Sequence, residues 1–204
     1  MILMIALVVL AAGKSERYGK NKLLEKIGDK TIIRKVVEES LRSKADRVFV
    51  VVGFEADRII DELRDLKVTF VYNVNYEEGM SSSVKAGVLA AKTYSAKAVA
   101  ILPADNLLIT HDVIDKVIKK FKETHAKIVV PSYKGKRGHP ILLNMEIYYD
   151  IMRISEETQG LKYVVRKYKD EIVEAPVNSP EIYIDVDTPE DLEKLRNLGY
   201  RNCF

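Results

Sequence analysis

Cysteine and tryptophan are almost missing: the 204 residues include one cysteine and no tryptophan. A lone thiol, Cys203, can close no internal disulfide and offers no Cys-x-x-Cys metal spacing, which excludes a disulfide scaffold and a zinc ribbon. A strong net charge is missing too. Lys and Arg number 33 against 30 Asp and Glu, leaving +3 with the signs interspersed, which argues against a general binder of nucleic acid or membrane surface. No apolar stretch reaches the roughly 18 residues of a membrane span. What is present, 47% hydrophobic and 31% charged residues, describes a globular chain. At this length roughly 70% of the unfolded surface is buried without help from staples. Scarce cysteine and abundant Lys and Glu suit a heat-adapted cytoplasmic protein. Residues 1–204 are expected to form a single domain, since no linker or low-complexity tract divides them.

The stretch "ALVVLAAGKSERYGKNKLL" (6–24) sets an apolar run against a small-residue turn followed by basic residues. A secretion signal requires a basic segment ahead of its apolar core, and here MILMI opens the core without one. The alternative is a strand buried on both faces, whose loop is delivered to a phosphate. Further runs repeat the pattern. "RVFVVVG" (47–53), 67–72, "AKAVAILPA" (96–104) and "AKIVVPS" (126–132) read as strands. Residues 30–42, 56–65, 82–92 and 111–124 carry apolar residues at helical spacing. Beyond them, "GHPILLN", "EIVEAP" and "EIYIDVD" are expected strands, with helices over 145–153, 158–168 and 189–198.

This alternation predicts an α/β fold with a mostly parallel central sheet between two helical layers. Right-handed crossovers put every strand-to-helix loop on one edge, where ligands bind. Loops 11–22, 73–83, 103–109 and 185–189 therefore belong together. In the first, Ala11, Ala12 and Gly13 leave backbone amides open to an anion. Arg17 adds a planar fork and Lys22 a mobile charge, both suited to a polyphosphate. The spacing is neither that of an ordinary P-loop nor that of a dinucleotide fingerprint. The remaining alternative for this loop is a solvated basic turn.

"LAAGKSERYGKNKLL" resembles the signature loop LAAGxSxRxGxxKLL of the molybdenum-cofactor-type nucleotidyltransferases, the MobA-like NTP transferase domains. The resemblance continues in order through "NVNYEEGMSSSVKAG" (73–87), "ILPADN" (101–106), "GKRGHPILL" (135–143) and "DVDTPEDL" (185–192). The pattern is most similar to the CTP:molybdopterin cytidylyltransferases, because Ala-Ala-Gly stands where the guanylyl-transferring branch more often has Ala-Gly-Gly. The resemblance implies a Rossmann-like three-layer α/β/α (GT-A-like) fold. It implies Mg²⁺-dependent transfer of an NMP, CTP being the favoured donor, to a phosphorylated acceptor such as molybdopterin. Mn²⁺ is an alternative metal.

By that resemblance Ala11, Ala12 and Gly13 give amides to the nucleotide, Arg17 holds the outer phosphates and Lys22 neutralises charge at the α-phosphate. Asp105 holds the metal with Asp187 or Asp185. Gly79, Met80, Ser81 and Ser82 shape the base and ribose pocket, and Arg137, Gly138 and His139 face the acceptor. A molybdoenzyme or its chaperone is the expected partner; nucleic acid and membrane are not. Ser81–Ser83 also read as helix caps, and Thr188-Pro189-Glu190-Asp191 as a helix start. Three departures touch the acceptor half: Asn106-Leu107 for Gln-Pro, an altered Asn75-Tyr76 region, and "EETQGLKYVVRKY" in place of GDxGxR. A sugar or polyol phosphate acceptor, or a non-catalytic carrier of nucleotide or molybdenum cofactor, are the competing readings.

Overall fold

The computed structural model describes residues 3–197; Cys203 lies outside them. The elements run β1 (Ile5–Ala11), β2 (Lys26–Ile27), β3 (Lys30–Thr31), α1 (Ile32–Arg42), β4 (Arg47–Val52), α2 (Ala56–Leu63) and β5 (Thr69–Tyr72). Next come α3 (Met80–Thr93), β6 (Ala98–Pro103), α4 (His111–Thr124), β7 (Ile128–Tyr133), β8 (Lys136–Arg137) and β9 (Ile141–Asn144). The chain ends in α5 (Tyr148–Ile151), α6 (Leu161–Lys167), β10 (Ile172–Pro176) and α7 (Pro189–Asn197).

The main sheet has the order β10-β7-β9-β6-β1-β4-β5, with β8 attached to β7. The β1–β4, β1–β6, β4–β5 and β7–β10 pairs are parallel, and only β8 and β9 run against the rest. All seven residues of β1 are buried, which is why the run is apolar without alternation: each side chain faces a helical layer. Ile5, Leu7 and Val9 pack with α1, α2, α4 and α7, while Ala6, Val8 and Leu10 pack with α3, α5 and α6. Each buried aliphatic side chain contributes roughly 1.5–3 kcal/mol. Gly87 lets α3 rest directly on β1, since a Cβ there would lie 2.3 Å from Val8 Cγ1.

Loops 11–22, 73–83 and 103–109 leave the carboxyl ends of β1, β5 and β6, so the edge expected from the sequence is the edge observed. "EIYIDVD" is not a strand. Pro180 starts a 3-10 turn (Pro180–Tyr183), and the residues after it have no regular structure before α7. The period-2 burial is real, with Ile182 and Val186 buried, but the backbone pairs with site loops instead of a strand. His139 N–H donates to the Ile182 carbonyl (2.9 Å) and Val186 N–H to the Asp105 carbonyl (3.3 Å). The helix expected over 145–153 is a 3-10 turn followed by the single turn of α5. The β2–β3 hairpin and β8 are two-residue strands too short to leave a periodic pattern. No described helix is long and apolar enough to cross a membrane.

Candidate active site

A cleft of about 420 Å³ opens at the carboxyl ends of β1 and β6. It is lined by Ala12, Gly13, Arg17, Lys22, Gly79, Met80, Asp105 and Asp187 from the expected set, joined by Lys14, Tyr76, Glu77 and Ser83. Four segments that are remote in sequence therefore meet where β1 ends.

Lys22 lies at its floor. It opens a 3-10 turn (Lys22–Leu24) that Asn21 caps by accepting from Leu23 N–H at 3.2 Å. The Nζ donates to Asp105 Oδ2 at 2.8 Å and to the Val186 carbonyl at 2.6 Å, and it reaches Asp187 Oδ1 at 3.3 Å. Arg17 Nη1 holds the other oxygen of Asp187 at 2.7 Å. Two carboxylates and a carbonyl thus converge on one cation.

This donor set is all oxygen, the chemistry that Mg²⁺ and Mn²⁺ accept in place of nitrogen or sulfur ligands, and Mg²⁺ adds substrate phosphates to one or two carboxylates. Asp105 and Asp187 therefore fit a divalent ion. Asp185 does not complete a three-carboxylate set: among the described residues no group of three or more His, Cys, Asp or Glu could hold a metal. Its carboxyl is pushed up by loss of hydration, with the charges of Asp187 and Asp105 adding to the effect.

The other expected residues divide. Ala11 ends β1 and is buried, and it does not line the cleft. Gly79 and Met80 line it, whereas Ser81 and Ser82 turn to structure. Ser81 donates from its N–H (2.9 Å) and its Oγ (2.7 Å) to Glu156 Oε1, and Ser82 Oγ donates to the Gly79 carbonyl at 2.8 Å. Asn73 Nδ2 donates to Ser82 Oγ and Ser83 Oγ. The serines thus organise the first turn of α3 behind the cleft wall, and Glu156 supplies the cap. Gly79, at φ +95°, passes so close that a Cβ would lie 2.5 Å from the Glu156 side chain.

On the acceptor side, Arg137 is exposed and its Nε donates to Glu174 at 2.7 Å. Gly138 passes against the Ile182 carbonyl, 2.2 Å from where a Cβ would sit. The His139 ring is pushed down by burial, with the charge of Asp105 opposing the shift. None of the three lines the cleft.

Further residues join the site beyond those expected to bind there, Tyr76 among them although its region was expected on the acceptor side. Tyr76 lies against Gly53, where a Cβ would stand 2.6 Å from the Tyr76 Cβ. Lys14 and Glu77 form an ion pair of 2.5 Å beside it. Tyr76 carried a signal, since it holds the aromatic position of the segment leading to Gly79-Met80. The Val186 carbonyl and Glu156 carried none, because a backbone oxygen has no letter and Glu156 is one acid among 30.

The model of the MobA-like NTP transferase domain matches residues 7–172. A molybdenum cofactor cytidylyltransferase of Escherichia coli K12 is 25% identical over 187 residues, covering 90% of this chain and 91% of that protein. A probable molybdenum cofactor guanylyltransferase of Thermococcus sibiricus is 29% identical over 135 residues, covering 66% of this chain and 65% of that one. Among solved structures, a nucleotidyl transferase from Methanothermobacter (Mth528) superposes with TM-score 0.82 at 19% identity, covering 97% and 98% of the two chains. Rv0371C of Mycobacterium tuberculosis H37Rv, solved in complex with manganese, gives 0.74 at 20% identity over 95% and 98%. A CMP:2-keto-3-deoxy-manno-octonic acid synthetase complexed with CTP gives 0.74 at 15% identity over 97% and 99%. With the family model spanning most of its length, and the signature loop, the central aspartate and all of the first strand but Ile5 and Ala6 inside the match, this chain belongs to the MobA-like NTP transferase domain family.

Proposed function

We propose that this chain, as one domain working in the cytoplasm, moves a nucleoside monophosphate from its triphosphate to a phosphorylated small molecule. CTP is the proposed donor, molybdopterin the proposed acceptor, and Mg²⁺ (or Mn²⁺) the proposed metal at Asp105 and Asp187. The observation that carries the reading is the meeting of Lys22, Arg17, Asp105 and Asp187 in one cleft beneath the Ala12-Gly13 turn. The near end-to-end match to the Escherichia coli cytidylyltransferase supports the choice of base and acceptor.

An acceptor phosphate oxygen forms a new bond to the α-phosphorus. The bond from that phosphorus to the bridging oxygen breaks, and pyrophosphate leaves with the electron pair. The nucleophile is already an anion, so the protein needs no covalent intermediate, and its work is positioning and charge compensation. The amides of Ala12 and Gly13 and the Arg17 guanidinium cradle the triphosphate, with Ala11 holding their turn to the end of β1. Lys22 meets the charge that grows on the α-phosphate. Gly79 and Met80 bound the base and ribose, with Ser81 and Ser82 bracing their turn. The divalent ion, when bound, neutralises phosphate oxygens. Outside the cleft, Arg137 exchanges Glu174 for the far end of the acceptor, with Gly138 and His139 behind it; burial disfavours a charged His139 ring. The product passes to a molybdoenzyme or its chaperone, with no nucleic acid or membrane involved.

A second reading keeps the reaction and replaces the acceptor with a sugar or polyol phosphate. The capping of α3 by Glu156 favours it, because that residue belongs to the "EETQG" segment that replaces GDxGxR. A non-catalytic carrier would have no use for the paired Lys22 and Asp105. The test is pyrophosphate release with Mg²⁺, setting CTP, GTP, ATP and UTP each against molybdopterin and a panel of sugar and polyol phosphates. Release with CTP and molybdopterin alone upholds the first reading. Release with another acceptor selects the second, and binding of CTP with no release under any pairing points to the carrier.

A further inference from the structure

The Lys22 ammonium has three N–H donors, and the cleft offers it three oxygens: Asp105 Oδ2 at 2.8 Å, the Val186 carbonyl at 2.6 Å and Asp187 Oδ1 at 3.3 Å. The residue is nearly buried. A divalent cation at Asp105 and Asp187 asks for this same convergence of oxygens. Two cations cannot share it, because like charges a few ångströms apart in a partly desolvated cleft repel strongly. Resting on the reading that these aspartates hold the metal, we infer that Lys22 is the placeholder for the divalent ion. It fills the oxygen cradle while no triphosphate is bound, and it yields the cradle when a triphosphate draws the ammonium toward its own oxygens.

Binding then has a definite order. A free metal ion must evict a fully satisfied ammonium and leave it without partners in the cleft, which is costly. A metal–triphosphate complex supplies the ammonium with new partners as it takes the old ones. Arg17 is not equivalent. It pairs with the second oxygen of Asp187, at 2.7 Å, and forms no hydrogen bond or ion pair with Asp105 or the Val186 carbonyl. Removing Arg17 takes the same charge from the neighbourhood and leaves the cradle filled.

The experiment is Mn²⁺ binding without nucleotide, followed by electron paramagnetic resonance, on the full chain and on K22M, K22Q, R17M and the double variant K22M/D105N. Lys22→Met and Lys22→Gln should each tighten Mn²⁺ binding at least about tenfold, and Arg17→Met less than about threefold, because only the lysine variants vacate the cradle. The double variant should lose the gain. Mn²⁺ alone should raise the melting temperature of K22M and leave that of the unmodified chain in place, since a ligand stabilises only the state that binds it. Equal affinity in the unmodified chain and both lysine variants overturns the inference. A gain in R17M as large as in K22M, or a gain retained in the double variant, also overturns it. The readout does not depend on the transfer reaction: a chain that fails every substrate pair yet gains Mn²⁺ in K22M loses the proposed function and keeps the placeholder.

Discussion

Lys22 and Arg34 each stand at the centre of an ion-pair cluster of similar bond lengths, and the two clusters differ in what they join. The carboxylates around Lys22 come from 83 and 165 residues away and point with it into a cleft. Those around Arg34 come from 28 and 31 residues away, one helix further along the chain. Its guanidinium takes both oxygens of Asp65 (3.1 and 2.6 Å), Glu62 Oε1 at 3.2 Å and the Glu62 carbonyl at 2.6 Å, fastening α1 to α2 and the turn after it. The Arg34 guanidinium is pushed further up by these partners, the Asp65 hydrogen bond first. At Lys22 loss of hydration pushes up the neighbouring Asp185, and the charges of Asp187 and Asp105 add to the effect. One cluster ties helices together on the surface. The other gathers two cations and two carboxylates from remote segments around a cleft.

The sharpest way to break this contrast is Asp105→Asn. Turnover should fall roughly 10²–10³-fold, the scale of losing one preorganised transition-state contact. The melting temperature should stay within about 3 °C, because the amide keeps an oxygen for Lys22 and relieves acidic crowding. A loss of turnover below tenfold, or a collapse in stability, would erase the distinction between the clusters. Arg34→Met tests the other side. Losing a bidentate surface network should cost about 1 kcal/mol, or about 2–4 °C in a chain of this length, with turnover unchanged; thermal melts and the pyrophosphate assay read both.

A third test, of an effect confined to one pH range, concerns Glu39 on α1. Glu39 Oε2 accepts from His111 N–H (2.8 Å) and pairs with the ring Nδ1 (2.8 Å), capping α4 from a neighbouring helix. Burial works against ionising Glu39, but the His111 backbone and ring outweigh it and hold the carboxyl below its usual range. A lowered folded value means stability that is present above the ordinary carboxylate pKa and lost as pH falls through the folded one. Glu39→Gln should therefore cost about 1 kcal/mol at neutral pH. The gap to the unmodified chain should close as pH drops below about 4. A gap that stays constant with pH would make Glu39 a packing residue.

Much of the layout was legible because buried parallel strands and amphipathic helices write themselves into residue order. Residues 2–10, 47–53, 96–104 and 126–132 were readable as strands, and the loops between strands and helices fell on one edge as chain handedness requires. "EIYIDVD" misled for a physical reason: its alternating burial serves an irregular crossing over the site, and periodicity reports which side chains are buried, not what the backbone bonds to. The cleft residues Lys22, Asp105 and Asp187 were legible from their motifs. The Val186 carbonyl was not, and neither was the division of labour among Met80, Ser81 and Ser82. Side chains one residue apart on a helix's first turn face different ways, and their letters do not say which.

The bond from Lys22 to the Val186 carbonyl spans 164 residues. During synthesis, the signature loop waits for the 164 residues up to Val186 before its lysine can be seated. A nascent chain can build β1, β4 and the helices packed on them while the cleft still lacks its floor. Assembly of the cleft therefore reports that translation has passed Asp187, and a product cut short before that point would hold much of the sheet without a finished cleft.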